Sequence, residues 1–312
     1  MRFLVSGSSG LIGGALVSAL ERGGNSVARL VRGETPVRGT ASVRWDPERQ
    51  SIDRAGLEGF DAVVHLAGEP ILGRWTNAKK RRIRDSRVLG TRLLAETLAT
   101  LAQRPGVLVC ASAAGFYDDR GDEVQTEQSP GGRGFLAGVA REWESAADAA
   151  RQAGIRVVRV RTGLVLARSG GLLKTILLPF QLGLGGPIGR GRSWWSWIAL
   201  DDLLAVYRFA IAREELTGAV NAAAPNPVTN AEFASTLGAV LHRPAVLPVP
   251  PVALRLIFGR EAADEAMLWG ARLAPARLQA AGFRFQYPEL EPALRHVLQL
   301  EPPGNPGAPP RG

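Results

Sequence analysis

The chain is poor in cysteine, histidine, tyrosine and lysine, and each scarcity removes a class of explanation. Of its 312 residues one is cysteine, three are histidine and three are tyrosine. The single thiol, Cys110, excludes an internal disulfide. Lying in the apolar run 107–111, it reads as a buried strand residue in a reducing compartment. No metal site is expected. No stretch reaches the roughly 18 consecutive apolar residues of a membrane span, so no membrane partner is expected. The chain enters its first apolar strand without a charged segment and a longer apolar one ahead of it, so no signal peptide is expected and the cytoplasm is the expected compartment.

Lysine stands only at Lys79, Lys80 and Lys174, so arginine carries most of the formal net charge of +9. One basic cluster is dense: Lys79-Lys80-Arg81-Arg82, then Arg84 and Arg87. It has no interleaved aromatics and no nucleic-acid motif, which argues for a solvated helix face and against a polynucleotide partner. The hydrophobic share of 46% is that of an ordinary globular protein, and the length suits one large α/β domain or two modest ones.

What is present starts at the third residue. An apolar run, 3–5, reads as a buried strand, and Ile12, Leu16 and Leu20 recur at helical spacing. Between them stands Gly7-Ser8-Ser9-Gly10-Leu11-Ile12-Gly13. In a strand–turn–helix setting this spacing gives Gly7 the tight turn, Gly10 the close approach to a pyrophosphate, and Gly13 the contact between helix and sheet. The free N–H groups of the helix start would hold the anion. An ordinary turn, which also collects glycine, is the bland alternative.

A second strand, 26–31, ends at Val31-Arg32. At that place in a dinucleotide fold an acidic residue favours NAD and an arginine accommodates the 2′-phosphate of NADP. No acid stands there, so Arg32 points to NADP(H), with a plain solvent arginine as the alternative. Residues 36–60 show little periodicity beyond a possible strand at 42–45. The run 61–68 reads as a buried strand ending in Leu66-Ala67-Gly68, with His65 as a core histidine.

Apolar spacing predicts a long helix over 81–103, and a strand at 107–111 then delivers Ser112 and Tyr117 together at a carboxyl edge. A helix over 135–153 and a strand over 156–161 complete a doubly wound parallel order. Near Ala167 the composition changes. Glycine loops at 170–171 and 183–192 surround an apolar segment and precede Trp194, Trp195 and Trp197. Arg190 and Arg192 offer forked donors and the tryptophans stacking faces, although a loop with core tryptophans fits as well. Asp201-Asp202 reads as the cap of a helix at 203–212, and Thr229-Asn230-Ala231-Glu232 as a helix start.

Taken together these residues resemble the extended short-chain dehydrogenase/reductases, more narrowly the "epimerase family" group related to nucleotide-sugar epimerases. The likeness rests on the glycine stretch 6–13, Leu66-Ala67-Gly68-Glu69-Pro70-Ile71, Arg74-Trp75-Thr76, Ser86-Arg87 and Arg161-Thr162-Gly163. It continues through 182–189, Trp197-Ile198, Asp201-Asp202-Leu203 and Arg243-Pro244-Ala245. It implies a Rossmann domain over 1–166, with 199–215 returning to it, and a smaller substrate-side domain over 167–198 and 216–300. A disordered tail over 301–312 completes this expectation.

The resemblance also implies NADP(H) held by 7–13, Val31, Arg32, Leu66 and Ala67, with Arg87 and Val165 as further cofactor positions. Arg192, Trp195 and Trp197 are the expected substrate-side residues. Short-chain enzymes pair a tyrosine with a lysine four residues on, so that the ammonium lowers the phenol pKa. Here the residues four beyond Tyr117, Tyr207 and Tyr287 are Gly121, Ile211 and Glu291, and the expected helix carries Phe135 or Leu136 and Val139 or Ala140. Two readings follow. One is an oxidoreductase or epimerase on a small polar or nucleotide-linked substrate, with Ser112 polarising a carbonyl and Tyr117 as a displaced proton donor. The other is an NADPH-binding sensor without turnover.

Overall fold

The computed structural model describes residues 1–33 and 41–300. The expected tail, 301–312, and part of the aperiodic stretch 36–60 lie outside the described residues.

Short apolar runs in this chain become strands buried on both faces. β1 (Arg2–Ser6) buries four of its five residues and β5 (Ala62–His65) buries all four. Between them come β2 (Ser26–Val31), β3 (Ser42–Asp46) and the short β4 (Ser51–Ile52). β6 (Val107–Ala113), β7 (Val124–Gln125), β8 (Arg156–Thr162), β9 (Leu164–Leu166), β10 (Trp194–Trp195), β11 (Trp197–Ala199) and β12 (Gly218–Ala222) follow. The central sheet has eight strands in the order β12-β8-β6-β5-β1-β2-β3-β4, parallel throughout except for the antiparallel β3–β4 pair.

That order reverses at β1: the chain goes outward through β2 and β3, then returns to β5 on the other side of β1. A crevice opens at such a switch point, outside the carboxyl ends of the strands. The residues leaving β1 and β5 there are Gly7 and Leu66.

Helices cover both faces, as a parallel sheet buried on both sides requires. α1 (Leu11–Arg22) and α6 (Leu200–Ala212) pack on one face around Val5, Val64, Val109 and Val160. On the other face α2 (Asn77–Ala99) packs around Leu4, Val63, Leu108 and Trp45. The expected helix at 135–153 is broken into α3 (Gly134–Ser145) and α4 (Asp148–Gln152). A third apolar cluster, with Leu173, Phe180, Trp197, Phe233 and Leu294, forms the smaller module around α5 (Gly171–Gln181), α7 (Asn230–Leu241) and the helix Leu290–Leu298.

Two expectations are corrected. The strand Gly218–Ala222, assigned from sequence to the smaller domain, pairs with β8 at the edge of the central sheet. Its apolar residues Val220 and Ala222 join the same core cluster as the buried face of α6. The pair Asp201-Asp202 does not cap α6, which starts at Leu200 behind Ala199. Asp202 turns away and accepts the backbone N–H groups of Gln286 and Tyr287, at 2.7 and 2.9 Å. The helix start at 229–232 is present as a full capping box: Thr229 accepts from the Glu232 N–H, and Glu232 accepts from the Thr229 N–H.

Candidate cofactor and active site

The turn after β1 is shaped by glycines, two of which leave no room for a Cβ. Gly7 has φ +64°, and a Cβ there would lie 2.7 Å from the Leu66 carbonyl carbon. A Cβ on Gly13 would stand 2.2 Å from the Gly7 carbonyl oxygen. Gly10 is roomier, at 3.3 Å from that same oxygen, and its N–H donates to it. α1 begins at Leu11 behind Gly10, with no side chain capping it and no acid in its first turn. Its first amides therefore face the crevice without an internal acceptor, the arrangement that receives a phosphate.

Ser6 fastens this turn to its neighbour. Its hydroxyl accepts the N–H groups of Leu66 (3.0 Å) and Ala67 (3.2 Å) and so donates its own proton to Nδ1 of His65, at 2.7 Å. His65 is therefore protonated on Nε2. That atom has no hydrogen-bond partner among the described residues, and the ring stands edge-on to Trp45 at 5.6 Å. Complete burial pushes its pKa down to about 4, so it is a neutral core residue, and its service is to hold Ser6.

The other residues expected at the cofactor are placed as follows. Ser8 is buried and Ser9 exposed at the loop, and Val31 and Arg32 lie at the end of β2 beside β1, with Arg32 exposed. Leu66, Val165 and Ile12 share one apolar cluster at the carboxyl edge, and Leu11 packs on Gly170. Arg87 lies beneath the turn at Gly68 and donates to the carbonyls of Glu69 (2.9 Å) and Ile83 (3.1 Å). Burial draws its pKa down to about 10, and its guanidinium stacks 5.2 Å from the Trp143 ring centre.

The expected catalytic pair is brought into one polar network, and this changes its meaning. Ser112, inside β6 and 5% exposed, donates to Oε1 of Glu144 at 2.7 Å. Arg161 grips the same carboxylate with two bonds of 2.8 Å and, through Nη1, donates to the Tyr117 hydroxyl at 2.7 Å. Tyr117 then donates to Asn221 Oδ1, also at 2.7 Å. The tyrosine is 0% exposed, and its phenol pKa is raised by burial against the opposing pull of Arg161. The phenol thus donates to one partner inside the protein and accepts from another. Arg161, the buried charge on β8, meets it there.

In α3 the positions expected for tyrosine and lysine hold apolar residues. Leu136 packs against Gly115, just beyond β6, and Ala140 is buried. The start of α3 is held from the C-terminal part of the chain, where both oxygens of Glu265 accept the N–H groups of Phe135 (2.9 Å) and Leu136 (2.8 Å).

On the substrate side the three residues separate. Arg192 is exposed and makes no hydrogen bond or ion pair with the described residues. Trp195 is half-buried, 4.8 Å from the ring of Phe233. Trp197 is corrected: it is 0% exposed, part of the smaller module's core, and its Nε1 donates to the Asn226 carbonyl. A separate open cleft of about 1250 Å³ runs between Leu166–Ser169, the start of α6 and the helix Leu290–Leu298; no fingerprint glycine lines it.

Sequence reasoning missed Ser6, Glu144, Asn221 and Glu265. A visible signal was the run Arg156–Thr162, where arginines interrupt a strand that otherwise reads as buried.

Residues 3–223 match the family described as NAD dependent epimerase/dehydratase. The chain belongs to this family. Residues 249–297 match a further domain of unknown function. An epimerase family protein of Mycobacterium bovis is 42% identical over 294 residues, 94% of this chain and 96% of its own. The human epimerase family protein SDR39U1 is 38% identical over 306 residues, 96% of this chain and all of its own. A crystal structure of that human protein with NADPH superposes with a TM-score of 0.87, at 36% identity over 96% of this chain and 99% of that one. The UDP-glucose 4-epimerase of Thermus thermophilus, crystallised with NAD, shares the fold at a TM-score of 0.73 and 22% identity, over 95% and 98% of the two chains. No helix among the described residues is long and apolar enough to cross a membrane.

Proposed function

We propose that this epimerase-family chain binds NADPH across the carboxyl ends of β1, β2 and β5 and is an oxidoreductase or epimerase on a small polar or nucleotide-linked substrate. One observation carries the cofactor reading: the glycine turn that admits no Cβ at Gly7 or Gly13, closed by Ser6 onto Leu66 and Ala67 and followed by an uncapped helix start. The NADPH in the crystallised human relative supports the choice of cofactor, as does Arg32. When bound, the nicotinamide supplies or takes a hydride; the protein supplies placement and polarity.

The role of each polar residue follows from its placement. Ser112 is the hydroxyl presented near the carboxyl end of β6, and Glu144 accepts its hydrogen bond. Arg161 holds Glu144, and the Tyr117 hydroxyl accepts from Arg161. Phe135 or Leu136 and Val139 or Ala140 stand where the tyrosine and lysine are expected, and none of them can exchange a proton.

A second reading is an NADPH-binding module without turnover, and the inward Tyr117 favours it. Purified protein decides between them. NADPH should raise the melting temperature well above the shift seen with NADH, and absence of any shift sinks both readings. If bound NADPH is then oxidised by none of a panel of carbonyl compounds and nucleotide sugars, and Ser112→Ala changes neither binding nor stability of the complex, the module reading stands.

A further inference from the structure

α3 begins at Gly134 with no side chain of its own first turn capping it and no acid in that turn. The first N–H groups of a helix have no partner within it. Here the acceptors come from far along the chain: Glu265 takes the Phe135 N–H on Oε1 at 2.9 Å and the Leu136 N–H on Oε2 at 2.8 Å. Gly134, at φ +91°, makes the room, since a Cβ there would lie 2.7 Å from Oε1. Among the described residues these two amides are the only hydrogen-bond or ion-pair partners of the Glu265 carboxylate.

Glu265 arrives on the helical turn Arg260–Ala263, which continues as a π-helical turn over Asp264–Leu268, inside the module matched over 249–297. Such π turns are rare and recur at functional sites. One turn earlier, Glu261 accepts from Nζ of Lys80 with both oxygens, at 2.6 and 2.8 Å. Lys80 lies in the first turn of α2, and its ammonium also stands 4.6 Å from the ring centre of Phe135. α2 and α3 follow the parallel strands β5 and β6, so both start on the carboxyl side of the sheet. Of residues 260–268 only Ala262 and Ala263 are buried, which leaves polar contacts to hold this stretch in place. Beyond it, Ala271 and Leu273 share an apolar cluster with Ala140 of α3 and with Tyr117. The module therefore meets α3 both at its start and at its middle.

We propose that Glu265 is a positioning residue through which the 249–297 module sets the start of α3, where Phe135 or Leu136 stands in the place expected for tyrosine. Its consequence for the cofactor rests on the NADPH reading: the module shapes the nicotinamide end of the site, while the glycine turn holds the phosphates. Amide hydrogen exchange, followed by NMR on the full chain without cofactor, tests the hold whether or not NADPH binds. Glu265→Ala should speed exchange at Phe135 and Leu136 by roughly 10-fold or more, the weight of a charge-assisted cap, and leave Val139 to Trp143 unchanged. Glu265→Gln, which keeps one acceptor oxygen, should fall between. Unchanged exchange at the two amides in Glu265→Ala, or an equal rise along the whole of α3, overturns the proposal. With NADPH bound, Glu265→Ala should alter the fluorescence emission of the cofactor while changing its dissociation constant by less than about 3-fold. Emission identical to that of the unaltered complex overturns the link to the cofactor site.

Discussion

Ser112 and Glu144 are joined by a hydrogen bond of 2.7 Å, and the oxygen that accepts it is also gripped by Nε of Arg161 at 2.8 Å. The serine at the carboxyl edge is therefore set by a carboxylate that a buried arginine neutralises. Their side chains are 11% and 6% exposed for Glu144 and Arg161, so the pair is held largely out of water.

Removing one member leaves the other charged and unpaired. Glu144→Ala is expected to cost about 3 to 5 kcal/mol in urea unfolding. Replacing both, Glu144→Leu with Arg161→Met, should cost clearly less, because no lone charge remains buried. A double variant as unstable as the single one would show that packing and not charge governs the site.

The glycine turn makes a graded prediction. Gly13→Ala places a methyl 2.2 Å from a carbonyl oxygen, whereas Gly10→Ala places one at 3.3 Å. The first should abolish the NADPH-induced rise in melting temperature; the second should reduce it while leaving the apoprotein close to normal. Equal effects of the two on NADPH binding would contradict the assignment of this turn to the pyrophosphate.

Acid should weaken the protein through His65. Its folded pKa, about 4, lies below the ordinary 6.5 because burial penalises the imidazolium. Between those values the unfolded chain binds the extra proton, so stability is complete above about pH 6.5 and is lost as pH falls toward 4. The loss attributable to this group is about 3 kcal/mol across that window. His65→Asn should flatten that part of the curve of unfolding free energy against pH, measured in urea; an unchanged slope would assign the acid sensitivity elsewhere.

Arg32 stands exposed at the end of β2, where the 2′-phosphate of the proposed cofactor would lie. Arg32→Ala should lower NADPH affinity by about 10-fold or more and leave NADH affinity nearly untouched, in line with loss of a charge-assisted contact. Titration of both cofactors by fluorescence checks it. Equal losses for the two would remove the arginine from the phosphate.

Much of the fold was legible in the sequence because its determinants are local. Gly7, Gly10 and Gly13 act over a single strand–turn–helix unit, and Thr229 with Glu232 closes its capping box within one turn. Buried runs such as 62–65 declare a parallel sheet by being apolar on every residue. Gly218–Ala222 was harder to place, because a five-residue strand carries no mark of which sheet edge it will complete.

The sequence by itself determined the nucleotide fold, the cofactor turn and the absence of a tyrosine–lysine pair, all matters of which residues stand at short spacings. Only the tertiary structure decided which way the side chains at the carboxyl edge of the sheet point. Tyr117 turns inward because Arg161 and Asn221, 44 and 104 residues away along the chain, satisfy its hydroxyl there. Trp197 turns into the smaller module because Phe233 and Leu294 build a core around it. A buried polar group goes where its hydrogen bonds can be made, and a buried ring where it is packed. In this chain those partners are distant in sequence, and only folding brings them within reach.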